Sequence, residues 1–437
     1  MVQRIDVFER TVERAERLHQ ESQLLKPMLS TGKAFYLFAG ALTMLVGWFL
    51  YAWYIQLSQG LGVTAMRSPV GASWGVYIAN FVFFVGLAHG GIAIAAAIRL
   101  MNLHKYSPVA RIGEVLTIIS LMMAGLSITI DMGRPDRIFN IIQFWPLRVG
   151  SSSLSWDVTV IILYFTLSAS YLWLTMRRDL ARVMGRFPRL TIIYQILLIG
   201  YTPDENHKVD RMAWWLSIAI CFLIVMLSGG VVAWIFGLLP SRPGWFSALA
   251  GPYFLTAAIS SAIAAVIVVA AITRKFLRWQ EHIKSEIFTG LGIFLGIITL
   301  FYIYLILAEQ LTMRYAPPIS EFMVSEMLLT GEFAPFFWPM LIFGFLIPAL
   351  SLVLQAVYPV FRSTTRTIWA AGFILVAFWI KRFLIVVPSL LRPLLPFPEG
   401  SYQPSWVEWS IVAGVFAMAA LLFMGFLKLF PIVELGE

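Results

Sequence analysis

Ionisable residues set inside long apolar stretches are the first places to look for chemistry, because each is costly at membrane depth and is retained for a reason. His89 is the one histidine in such a stretch, within Gly86-Leu87-Ala88-His89-Gly90-Gly91. Its ordinary pKa suits it to relaying a proton or bonding a carbonyl oxygen, and the glycines let a helix or a flat ligand come close. The alternative is a structural hydrogen bond to a neighbouring helix. Asp131-Met132-Gly133-Arg134-Pro135 is the sharpest local signal: the Gly and the Pro halt a helix, with an acid and an arginine within pairing distance. Asp157, Glu309, Lys381, Arg382 and Glu408 fall near the ends of other apolar stretches, on the same side as Asp131. Together they read either as a polar site beneath one membrane surface or as ion pairs at helix ends. Glu114 lies towards the opposite side and, with His89, suggests a proton relay running inward.

What is missing narrows the chemistry. A haem b between helices usually takes two histidines at membrane depth, and only His89 qualifies, because His19, His104, His207 and His282 fall in polar segments. The lone Cys221 excludes a cysteine-ligated iron–sulfur cluster, a cysteine zinc site and an internal disulfide within this chain. Electrons, if the protein handles them, belong to a diffusible carrier or to partner subunits. The sequence has no phosphate-binding Walker loop, dinucleotide-binding glycine fingerprint, HExxH or Ser-His-Asp arrangement.

The elements that position these residues are membrane spans. The chain of 437 residues is 59% apolar and 13% charged, against roughly 25% charged in soluble domains. Ten stretches are long enough to cross a bilayer: 34–57, 74–100, 109–130, 156–176, 212–238, 250–272, 287–311, 335–360, 367–387 and 406–430. They are read as helices, since a backbone in lipid must satisfy its own hydrogen bonds. The expected fold is therefore an all-α integral membrane protein. Of the 32 lysines and arginines, 23 fall on the side of the N-terminus and 9 on the other, which places both termini in the cytoplasm. The net charge of +9 is thus a topology signal and does not point to nucleic acid. Residues 1–33 form a cytoplasmic N-terminal segment with no signal-peptide core. Ile5, Phe8, Val12, Leu18 and Leu25 recur there at helical spacing, which fits either a surface-lying amphipathic helix or a plain charged tail. Trp74, Trp145, Trp156, Trp245, Trp338, Trp406 and Trp409 lie near span ends as an interfacial belt.

A weak internal repeat divides the spans. Span two opens Gly75-Val76-Tyr77 and closes Ala96-Ala97-Ile98-Arg99; span six opens Gly251-Pro252-Tyr253 and closes Ala270-Ala271-Ile272-Thr273-Arg274. The following spans end on Asp131 with Arg134 and on Glu309 with Arg314. An offset of four helices keeps direction, so spans 2–5 and 6–9 would be two parallel four-helix bundles flanked by spans 1 and 10. Chance likeness between apolar helices is the alternative.

Several segments together resemble the NrfD-type, or polysulfide reductase membrane-anchor, family. They are Trp74–Phe81, Gly86–Gly91, Asp131–Arg137, Leu154–Asp157, Arg242–Trp245 with Gly251–Phe254, Lys381–Ser389 and Pro404–Trp409. They occur in order over residues 34–437, and the ten-span form is similar to the membrane subunits of alternative complex III and of related sulfur-metabolism complexes. The resemblance implies a quinone- or menaquinol-interacting subunit in the inner (plasma) membrane of a prokaryote. Such a subunit has no haem, iron–sulfur cluster or metal of its own. It docks an extracytoplasmic ferredoxin-like iron–sulfur subunit beside other membrane and cytochrome subunits, among them a second NrfD-type chain. It further implies quinone binding by His89, Asp131, Arg134, Asp157 and Asn80, and a proton path through Glu114, Glu309, Lys381 and Arg382. Related chains often carry a histidine before a Trp-x-Phe-Gly stretch in span five, whereas Ser228–Gly237 here has none. A structural or proton-conducting copy without bound quinone therefore stays open, as does a secondary transporter suggested by the repeat.

Overall fold

Each apolar stretch becomes a helix whose outward face remains apolar, as a lipid environment requires. The computed structural model describes residues 22–66, 72–203, 206–226, 230–239, 241–315, 319–392 and 400–435. Among them are ten helices long and apolar enough to span a membrane. They are α1 (Lys33–Gln59), α2 (Val76–Leu100), α3 (Ser107–Asp131), α4 (Ser153–Val183) and α5 (Asn206–Met226). After them come α6 (Ala250–Leu277), α7 (Ser285–Tyr315), α8 (Ala334–Val357), α9 (Thr364–Leu391) and α10 (Trp406–Leu429). The protein is an all-helical multi-pass membrane protein. The expected surface helix on Ile5–Leu25 lies mostly outside the described residues, which begin with a helical stretch at 22–29.

The helices stop where the backbone chemistry demands it. α3 ends because Gly133 adopts φ +68° and Pro135 follows without an amide hydrogen. α10 opens with a capping box in which Ser405 and Glu408 exchange side-chain and backbone hydrogen bonds. α8 carries Pro339 and Pro348 and passes between them by widening into a π-turn over Met340–Leu346. Span five is met as α5 and a short helix Val232–Gly237, while residues 227–229, the start of its Ser228–Gly237 stretch included, lie outside the described residues.

Packing centres on α2, which is buried along nearly its whole length. It contacts α3 and α5; α4 contacts α3 and α5 in turn. α6 likewise contacts α7 and α9, and α8 contacts both of those. The two groups meet where α2 lies against α6 and α9. α10 joins α1 to α2 and α3. α1 is largely exposed, burying only Phe49, Ala52 and Gln56. Gly90 makes the α2–α6 approach possible, since a Cβ there would stand 2.5 Å from the Ala258 carbonyl oxygen.

Candidate functional site

The end of the molecule at which α1 begins is called the near end, and the opposite end the far end. At the far end a buried polar network joins four elements. Tyr77 on α2 donates to Gln56 Oε1 at 2.8 Å, and Gln56 Nε2 donates to the Ile130 carbonyl at 3.0 Å. Asp131 is buried at the next position of α3, and the Tyr77 hydroxyl lies within reach of the charges of Asp131 and Glu408. Glu408, fully buried, accepts from Tyr402 (2.5 Å), Ala65 N (2.9 Å) and Ser405 N (2.8 Å). Burial, with Glu408 beside it, pushes the Tyr402 phenol well above its usual pKa, so it stays protonated and donating. Tyr402 in turn accepts from Val76 N at 2.9 Å. One turn below Tyr77, Asn80 donates to Ser127 at 3.2 Å and accepts from Trp379 Nε1 on α9 at 3.2 Å, linking the two helix groups.

The structure does not gather all the expected quinone residues into one place. Arg134 does not turn back to Asp131: it forks onto Asp136 at 3.0–3.2 Å, with both side chains exposed. The cause is the αL turn at Gly133, which directs the following residues out of the helix axis. The hydrogen bonds between them, helped by the opposite charge, hold the Asp136 carboxyl below, and the Arg134 guanidinium above, their ordinary pKa values. Asp157 is buried in the first turns of α4 with no charged neighbour or hydrogen-bond partner among the described residues. His89 lies twelve residues beyond Tyr77 on α2, about 18 Å deeper at 1.5 Å per residue. Asp131 and His89 therefore cannot touch the same headgroup.

In the second helix group, Lys381 pairs with Glu309 at 3.3 Å, joining α9 to α7, and stands 5.3 Å from the centre of the Tyr253 ring. Tyr253 packs against Tyr302 with ring centres 4.8 Å apart. Arg382 turns the other way, because successive helical residues point about 100° apart. Its guanidinium lies 4.8 Å from the centre of the Phe254 ring, and its Nη1 has no hydrogen-bond partner among the described residues. Arg382 lines a narrow crevice with His89, Gly86, Val82, Phe254 and Ala258, at the seam of α2, α6 and α9. His89 itself packs edge-on against Tyr164 at 4.7 Å. A second recess is walled by Phe236, Trp245, Tyr253 and Phe254, with Glu309 at its side. Trp245 is thus no belt residue: it is buried, stacks on Trp74 at 5.7 Å and donates to the Ile385 carbonyl at 2.7 Å.

A second buried charge cluster, at the near end, is not anticipated by the sequence reading. Arg111 Nη1 pairs with Asp179 Oδ2 at 2.7 Å, both nearly inaccessible to solvent. Arg111 also donates to the carbonyls of Pro431, Val433 and Thr175. Asp179 accepts from Leu435 N, and Arg182 donates to the Leu435 carbonyl at 2.6 Å. Glu114, one turn from Arg111, is buried and accepts from Thr175 at 3.1 Å. Buried charges thus gather at the near end as well as on the Asp131 side. The charged turns 177–182 follow the apolar part of span four, so they read as loop. The signal available was Arg111, four residues after Ser107 and inside the helical pattern.

Ten lipid-length helices carrying buried acids, bases and tyrosines at both ends define a polytopic membrane protein. A family model described as "Polysulphide reductase, NrfD" matches residues 62–393, and the chain belongs to this family. It is similar to a putative dimethyl sulfoxide reductase membrane subunit of Halobacterium salinarum, at 31% identity over 90% of each chain. A selenate reductase subunit of Mesobacillus selenatarsenatis is 25% identical over 87% of this chain and 90% of its own. The Hdr-like menaquinol oxidoreductase integral membrane subunit of Archaeoglobus fulgidus is 26% identical over 88% and 90%.

Proposed function

We propose that this chain is the quinone-interacting integral membrane subunit of a multisubunit respiratory oxidoreductase, exchanging electrons between the quinone pool and an extracytoplasmic iron–sulfur subunit. The observation that carries the reading is the concentration of buried polar side chains in the far halves of α2, α3, α7 and α9, beside an aromatic-walled recess. Flat aromatic walls with acids and hydroxyls alongside fit a quinone ring. The similarity to a menaquinol oxidoreductase subunit supports the same reading and favours menaquinone. The far end would face the extracytoplasmic side and both termini the cytoplasm, following the 23 to 9 charge split. The two-bundle division rests on the packing pairs of α2–α5 and α6–α9.

A bound quinol gives up two electrons and two protons on oxidation, the electrons leaving to the partner subunit. Within this chain Asp131 and Asp157 would take up the protons near the far surface, with Asn80 holding α2, α3 and α9 in register around them. Arg134 would sit at the exposed rim. Glu309 and Lys381, already paired, would relay protons through the second group, and Glu114 would serve the near side. Asp131→Asn and Asp157→Asn, each made in the purified complex, are expected to lower quinol oxidation by at least tenfold. Unchanged turnover in both would overturn the assignment. A structural anchor is the second reading, favoured by the outward turn of Arg134, and it predicts no quinone in extracts of the purified complex.

A further inference from the structure

At the near end, the connection from α4 to α5 folds back along α4. After Val183 two tight turns, Met184–Arg186 and Pro188–Leu190, lead into a short helix, Thr191–Leu197. Three side chains fix the inner face of this segment. Tyr194 is fully buried and donates to the Leu429 carbonyl, at the end of α10, at 2.7 Å. Trp173 Nε1 on α4 donates to the Leu197 carbonyl at 2.8 Å. Arg177 donates to the Ile199 carbonyl at 2.7 Å, its guanidinium lying over the rings of Trp173 and Tyr201. Trp173 stands twenty residues after Ser153, about 30 Å along α4, which is the thickness of a hydrocarbon core. The short helix is therefore held at the near boundary of the lipid, while α4 runs on past it by about 15 Å. The outer face of the segment is apolar: Ile192, Ile196 and Ile199 follow at helical spacings of four and three and are 73%, 60% and 71% exposed. Arg186 and Arg189 stand in the turns just before the helix, both exposed, and Arg189 meets no carboxylate among the described residues. The described acids at the near ends of α4 and α5 are engaged elsewhere, Asp179 by Arg111 and Asp210 by Arg178 and Arg99.

We propose that the Arg186–Ile199 segment binds an anionic phospholipid, its phosphate on Arg189 beside Arg186 and an acyl chain along the isoleucine ridge. The two halves of the segment select this ligand together. A soluble anion would use the arginines and leave three isoleucines facing water, whereas a neutral lipid would use the isoleucines and gain nothing from the cations. An amphiphile with a negative head matches both, with the apolar ridge towards hydrocarbon and the cations towards the headgroups. Arginine suits the phosphate because its planar fork offers two parallel hydrogen bonds. The ridge is also preformed: with its backbone tied to α4 and its Tyr194 to α10, the segment need not be ordered when lipid arrives. An occupied site braces that join between α4 and the end of α10. This inference is independent of the quinone reading above.

The test is native mass spectrometry of the purified complex released from nanodiscs of phosphatidylcholine with or without phosphatidylglycerol, which counts bound lipids and subunits together. The wild-type complex is expected to retain phosphatidylglycerol in preference to phosphatidylcholine. Arg189→Gln, and separately Ile192→Asn combined with Ile196→Asn, are each expected to weaken phosphatidylglycerol retention at least fivefold. All three side chains are exposed, so the thermal midpoint in detergent should stay at the wild-type value. Wild-type retention in either variant overturns the site. Displacement of the lipid by inorganic phosphate alone, with the isoleucine variant unaffected, overturns it in favour of a free-anion site. Loss of a subunit from the isoleucine variant overturns it in favour of a protein contact on the ridge.

Discussion

Glu408 shows how a charge in a span can be retained for structure alone. Its carboxylate satisfies two backbone amides and the Tyr402 hydroxyl at once, tying residue 65, the 402–405 segment and α10 together. Removing it strands three buried donors, so Glu408→Ala is expected to destabilise the fold by about 2 kcal/mol or more. The check is the thermal midpoint of the purified protein, with Glu408→Gln falling between. The near-end pair behaves by the same logic. Asp179→Ala leaves Arg111 as an uncompensated buried charge, a loss of about 3–5 kcal/mol, whereas the double variant Arg111→Met with Asp179→Leu should cost less. If the double variant is the less stable, the pair is stabilising in its own right. Of the residues singled out by type and spacing, Asp131, His89, Lys381 and Arg382 are all buried, because a charge within twenty apolar residues has few other places to go. The partner each one meets was not legible, since that depends on how neighbouring helices are rotated.

Helix phase explains most of what sequence could not supply. Lys381 and Arg382 are adjacent in the chain, yet one faces Glu309 inside the second group and the other the seam with α2. The windows of apolar residues locate every span but undershoot α4, which runs on to Val183 through Arg177, Arg178 and Asp179. A hydropathy window ends where charges begin, whereas a helix ends only where its hydrogen bonding fails. Tyr77 lies within reach of the Asp131 charge, and Tyr253 within reach of that of Glu309. At the α2–α6 contact, Gly90→Ala pushes a methyl to 2.4 Å from the Ala262 Cβ, so the two helices must separate. We expect a cost of about 1–3 kcal/mol, read as a lower thermal midpoint and reduced yield of folded protein.

For the molecule as a whole, orientation is an expectation that rests on charge counting and not on packing. In a Cys221→Ser background, Asp136→Cys at the far end and Arg189→Cys at the near end both place a thiol on an exposed side chain. An impermeant maleimide added to intact cells is expected to label Asp136→Cys and to leave Arg189→Cys unlabelled until the membrane is opened. The reverse pattern would invert the topology and with it the side on which an electron-transfer partner docks.

The seating of residues 431–435 against Arg111, Asp179 and Arg182 also sets an order of events during biosynthesis. α3 and α4 enter the bilayer roughly 250 residues before the strand of backbone that completes their polar contacts has been translated. Until then the Arg111–Asp179 pair must be solvated from the near side, so the nascent protein carries a wet pocket that closes only as synthesis reaches Leu435.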